Sequence, residues 1–126
     1  MDAPGKNEYE AISNLARDLK TLAKRLKLPL VVLCQTSRKG GSGDIEISMD
    51  MGRGSGAIEE AADFILGLFQ PTRLDGGQDL VAKILKNRKG PAGSCWILGL
   101  ERSTFRIGPE ATRWVAPPKR KRRAAL

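Results

Sequence analysis

Apolar residues in the first third of the chain keep the rhythm of a helix and then abruptly lose it. Ile12, Leu15, Ala16, Leu19, Leu22, Ala23 and Leu26 recur at spacings of three and four, which predicts an amphipathic helix over 7–27. Asn7 with Glu10 three residues on reads as a capping box, and Lys24, Arg25 and Lys27 suit the negative end of the dipole. Pro29 stops the helix. Leu30 to Cys34 are all apolar, the pattern of a strand buried on both faces of a parallel sheet. A helix feeding such a strand through a short turn is half of a βαβ unit.

The pattern thins over 36–54, where five glycines (Gly40, Gly41, Gly43, Gly52, Gly54) replace core formers. A long mobile loop is expected there, and one of that length in a compact domain is usually functional or disordered. Ser55 to Ala62 predict a short helix and Phe64 to Phe69 a second buried strand. A turn at Asp75-Gly76-Gly77 precedes strands at 80–87, 94–100 and about 105–107. The expected architecture is α/β, a mainly parallel sheet with antiparallel hairpins at its C-terminal edge.

At 126 residues, 40% hydrophobic and 29% charged, the composition is that of one soluble domain with a modest core. No apolar run nears the roughly 20 residues needed to cross a bilayer, and the first residues are polar, so a cytoplasmic protein is expected. There is no His and no carboxylate or thiolate cluster at metal-ligand spacing. Cys34 and Cys95 lie in apolar runs and are expected to pack as small hydrophobes. Lys119, Arg120, Lys121, Arg122 and Arg123 supply five of the eight net positive charges, so the body over 1–118 is only mildly basic. Pro117-Pro118 closes the domain, taken as 1–116, and 117–126 reads as a basic disordered tail. Such a tail attracts nucleic acid non-specifically, or simply keeps a chain end in solution.

Three places could carry chemistry. Lys86 and Arg88 leave one strand end two positions apart, hence on one face roughly 6–7 Å from each other, with the Gly90-Pro91-Ala92-Gly93 turn beyond. A guanidinium fork and an ammonium together suit a polyanion; a solvated hairpin tip has the same composition. Gln35 follows the apolar run at a strand's carboxyl end, where open α/β sheets bind ligands. Its amide could touch a terminal phosphate, or merely end the strand. Arg53-Gly54-Ser55-Gly56 leads into the short helix, and its backbone N–H groups could face a nucleic-acid phosphate or serve as a flexible cap. No Gly-rich loop ends in Gly-Lys-Ser or Gly-Lys-Thr, and no apolar strand ends in an acid that would hold Mg²⁺.

Four segments in this order and spacing, Ala11 to Ala23, Leu28 to Arg38, Arg53 to Asp63 and Lys86 to Gly93, resemble the later part of the RecA-like motor domain of hexameric replicative helicases. Bacterial DnaB and the phage primase-helicases are the nearest types, and the likeness spans about residues 8–107. Arg53-Gly54-Ser55-Gly56 is closer to the phage type, since DnaB proteins often carry Glu where this chain has Gly54.

The resemblance implies a C-terminal portion of an ATP-driven DNA-unwinding motor. Gln35 then matches the γ-phosphate sensor. Lys86 and Arg88 match the paired fingers that enter the ATP site of a neighbouring subunit, and Arg53, Gly54 and Gly56 fall in a loop contacting single-stranded DNA. ATP and Mg²⁺ would be bound by a longer parent or a separate P-loop-bearing half, with a homo-hexameric ring as the assembly. A stand-alone single-strand-binding module, or part of another RecA-like ATPase, would share several of these features. Without the strands that carry the P-loop, the chain alone is expected to be marginally stable or to associate.

Overall fold

The computed structural model describes residues 4–36, 43–52 and 55–117. Helix α1 runs from Pro4 to Leu26, α2 from Ser55 to Ala61, and four strands follow: β1 (Phe64–Phe69), β2 (Leu80–Asn87), β3 (Cys95–Glu101) and β4 (Arg106–Arg113). They form one sheet in the order β1-β2-β3-β4, and every pairing is antiparallel. The basic run expected as a tail lies outside the described residues.

Helix α1 begins three residues earlier than the periodicity predicts, with Pro4 at its first position. Asn7 and Glu10 therefore sit inside the helix and do not cap it. The helix ends in a Schellman turn: Lys27 adopts φ 54° and Leu28 N–H donates to the Ala23 carbonyl at 3.3 Å. Ile12, Ala16, Leu19 and Ala23 are partly buried on one side, where α1 packs against α2. Leu15, Leu22 and Leu26 stay exposed. The apolar stripe is wider than the surface this chain lays against it.

The apolar run 30–34 is where the structure departs most from expectation. It is extended but unpaired, and Val31 and Leu33 are 90% and 94% exposed. A strand needs neighbours for its N–H and C=O groups; among the described residues only an isolated bridge from Thr36 to Gly52 follows it. Cys34, expected to be packed, is exposed with it, while Cys95 is buried; both thiols are free. Among the described residues the sheet is an antiparallel meander and not the mainly parallel sheet expected, because strands consecutive in the chain pair with each other.

Strand β1 is buried on one face only. Gly67 and Phe69 point inward while Phe64, Leu66 and Leu68 are exposed. The core gathers Ile47, Phe69, Val81 and Cys95, flanked by Met51, Leu85, Ile97 and Trp114. Trp114 meets Phe69 edge-on, ring centres 5.3 Å apart at 86°. Ile47 belongs to a stretch expected to be a mobile loop. Instead 43–52 is fastened to the sheet by that side chain, by Gln70 N–H donating to the Gly43 carbonyl (2.7 Å) and by a Lys83–Glu46 ion pair at 2.6 Å. A single 3₁₀ turn, Met49–Met51, completes it. At the far edge, all eight residues of β4 are exposed, with Pro109 removing one donor from an otherwise open edge.

Candidate functional site

Strand β2 outruns β3. Its residues 80–83 pair with β3, whereas its far end pairs with β1 alone, Lys86 opposite Ile65 and Asn87 opposite Phe64. Between these and Leu66↔Ile84 the register shifts by one, leaving Leu85 as the extra residue of a β-bulge that re-aims the side chains after it. Gly93 at φ 92°, a backbone shape that glycine adopts freely, donates its N–H to the Ile84 carbonyl at 2.7 Å and closes the hairpin. Asn87 organises the tip: its Oδ1 accepts from Lys89 N–H at 3.2 Å, and its Nδ2 reaches the Pro91 carbonyl at 3.5 Å.

Lys86 and Arg88 turn to the same side, toward the junction of α2 and β1. The Lys86 ammonium donates to the Glu59 carbonyl. Arg88 N–H donates to the Asp63 carbonyl at 2.9 Å, and its Nε lies 2.9 Å from Asp63 Oδ1. The other carboxylate oxygen of Asp63 pairs with Lys20 of α1. Lys20, Lys86 and Arg88 thus gather around one carboxylate. Arg88 does not project freely; it rests against a surface acid of its own chain. The hydrogen bond from Lys20 holds the Asp63 carboxyl below the usual range, against an opposing effect of lost solvent, and the charges of Lys20, Arg88 and Lys86 add to it.

The remaining predicted positions are scattered. Gln35 is exposed at the end of the unpaired segment, one residue before the Thr36–Gly52 bridge. Gly56 is exposed at the second position of α2, where a Cβ would stand 3.4 Å from the Tyr9 hydroxyl. Arg53 and Gly54 lie outside the described residues. Two shallow surface depressions, one at the β3–β4 turn and one on α1 beside Asp18 and Arg25, contain none of these groups.

Lys20 and Asp63 escape a reading of the sequence. They are separated from each other by 43 positions, and only the docking of α1 beside the α2–β1 junction unites them. The cluster sets Lys20, Lys86 and Arg88 beside one carboxylate. Among the described residues no three His, Cys, Asp or Glu side chains could share a metal ion. Nor is any helix among them long and apolar enough to cross a membrane.

Residues 1–105 match the family described as the DnaB-like helicase C terminal domain. The chain is 36% identical over 93 residues to the replicative DNA helicase DnaB of Treponema pallidum (strain Nichols), a match covering 74% of this chain and 20% of that protein. It is 35% identical over 101 residues to the DnaB of Pasteurella multocida (strain Pm70), covering 74% and 21%. The DnaB of Buchnera aphidicola subsp. Acyrthosiphon pisum is 33% identical over 95 residues, covering 71% and 20%. The chain spans about a fifth of the length of these curated relatives. No solved structure matches it.

Proposed function

The chain belongs to the family of DnaB-like helicase C-terminal domains, and from that premise we propose that it is the later part of a replicative DNA helicase motor, acting on nucleotide held by other residues than its own. The observation that carries this reading is the convergence of Lys86 and Arg88 on one side of the sheet's end. Their donors suit phosphoryl oxygens. No Gly-rich loop in the 126 residues ends in Gly-Lys-Ser or Gly-Lys-Thr. In this reading its cations serve a triphosphate bound across a boundary.

In this reading Lys86 and Arg88 neutralise negative charge on a neighbouring subunit's nucleotide, the Gln35 amide contacts its terminal phosphate, and Arg53, Gly54 and Gly56 face single-stranded DNA. Partners are the neighbouring subunits of a homo-hexameric ring, or a P-loop-bearing half. The exposed run 30–34 becomes one strand of the mainly parallel RecA-like sheet when strands from outside these 126 residues pair with it. That accounts for an apolar segment with no partner in the isolated chain.

The test is a chimaera in which residues 1–105 replace the corresponding segment of the Treponema pallidum relative. DNA-stimulated ATPase and forked-duplex unwinding should persist. Lys86→Ala and Arg88→Ala should each lower the turnover number by about 10³-fold or more with nucleotide affinity nearly intact, the scale of a finger supplied in trans. Variants that keep their ATPase but lose DNA affinity, like any other loss of charge, would reject the finger roles in favour of a simple single-strand-binding module.

A further inference from the structure

We propose that Asp63 is a resident counter-ion in a three-cation phosphate site, in which Lys20 joins Lys86 and Arg88, and that a phosphoryl group displaces its carboxylate when the site is engaged. The inference rests on the finger reading of Lys86 and Arg88 and adds to it one cation and one competitor.

Three observations lead there. First, the cluster sets three positive charges against one carboxylate. Asp63 spends one oxygen on Lys20 and the other on Arg88, and Lys86 is left to a neutral carbonyl, that of Glu59. A phosphoryl group brings more charge and a third acceptor oxygen, so it can satisfy all three donors at once. Second, the Asp63 side chain is 60% exposed and that of Arg88 53%. Exposed ion pairs hold weakly, so this one yields to a stronger anion without disturbing the core. Third, the parts that must stay are held by other means. Arg88 is fixed by its backbone bond to the Asp63 carbonyl, Lys86 by its place opposite Ile65, and Lys20 by the helix. Displacing the carboxylate breaks none of these. Lys20 thereby becomes a binding residue, although it lies on a different element from the other two.

The probe is inorganic tripolyphosphate titrated into the full 126-residue chain. Binding is followed by NMR at the Arg88 Nε–Hε resonance and backbone amide, which separates this site from the basic run 119–123. Asp63→Asn should tighten binding by about 3- to 10-fold, whereas Glu110→Gln, the same charge change on β4 at the opposite edge of the sheet, should alter it less than about twofold. Lys20→Gln should weaken binding by a similar factor and remove the gain when combined with Asp63→Asn, and Lys20→Arg should restore it. Equal affinities for Asp63→Asn and Glu110→Gln would overturn the counter-ion role. Wild-type affinity in Lys20→Gln, with its amide spectrum otherwise unchanged, would overturn the third cation. Both results are independent of the chimaera: loss of the finger roles appears there as intact ATPase in Lys86→Ala and Arg88→Ala, and failure of the present inference appears here.

Discussion

Ile47 lies directly over the α-carbon of Gly67: a methyl group at position 67 would come within 2.6 Å of Ile47 Cγ2 and 2.8 Å of Leu85 Cδ1. The absence of a side chain on β1 is thus what lets the segment 43–52 lie down on the sheet. Ile47 is branched at Cβ and has little rotamer freedom to retreat. Gly67→Ala should destabilise the chain by about 1–3 kcal/mol, the scale of overpacking, read as a lower urea midpoint at unchanged slope.

Phe69 is 3% exposed and carries the edge-on contact with Trp114. Phe69→Ala should cost about 3–5 kcal/mol. In a domain whose whole stability is about 5–15 kcal/mol, that is a large share and should lower the urea midpoint markedly. Trp114 emission should shift to longer wavelength as its ring loses Phe69. An unchanged spectrum and midpoint would place Trp114 elsewhere.

The two thiols should react at very different rates. Cys34 is exposed on the unpaired run, while Cys95 is buried in the core, and loss of solvent raises its thiol above the ordinary range. Alkylation at pH 8 with iodoacetamide should label Cys34 first, with Cys95 slower by about 10²-fold or more, tracking opening of the core. Protection of Cys34 in the isolated chain would mean that the run is covered.

Acid should remove a defined part of the stability. Asp63 and Asp75 both have carboxyls held below the ordinary range, the first chiefly by Lys20 and the second chiefly by the Gly77 N–H, with Arg73 next. A group depressed on folding stabilises the folded state above its unfolded value, near pH 4, and that contribution fades as pH falls through the folded value. Unfolding midpoints should therefore decline below about pH 4. Asp63→Asn and Asp75→Asn should each flatten this decline and leave the slope above pH 5 untouched.

Exposed apolar surface should make the isolated chain associate. Val31 and Leu33 stand almost wholly in solvent, with Phe64, Leu66 and Leu68 on the outer face of β1, an arrangement that favours edge pairing and patch burial. Sedimentation should show concentration-dependent association, reduced in Val31→Lys/Leu33→Glu. A monomer at high concentration with a steep, hot melting transition would contradict this.

Much of the fold was legible because its signals are local. The three-four spacing from Ile12 to Leu26 gives α1, Phe64–Phe69 emerges as β1 with the predicted ends, and the glycine turn at 90–93 marks the β2–β3 hairpin. The misreadings share one cause, which is that local pattern does not name the partner. Leu30 to Cys34 have the composition of a central strand, and only neighbours could make them one. Asn7 and Glu10 have capping spacing, but Pro4 starts the helix first. The stretch 43–52 looked unanchored because its buried core residue, Ile47, depends on a gap at Gly67 that spacing cannot show. In the site, the shared side of Lys86 and Arg88 follows from strand periodicity. The Leu85 bulge and the Lys20–Asp63 pair are tertiary facts and left no trace in any window of sequence.

The small bridge between Thr36 and Gly52 has a mechanical consequence. Residues opposed in an antiparallel pair keep their α-carbons about 4.5–5.5 Å apart, so the two flanking backbones are yoked. Gln35 precedes one end of the yoke and Met51 the other. The rung ties the end of the exposed apolar run to the 3₁₀ turn Met49–Met51, so the run is tethered at one end even though, among the described residues, none of its own is paired.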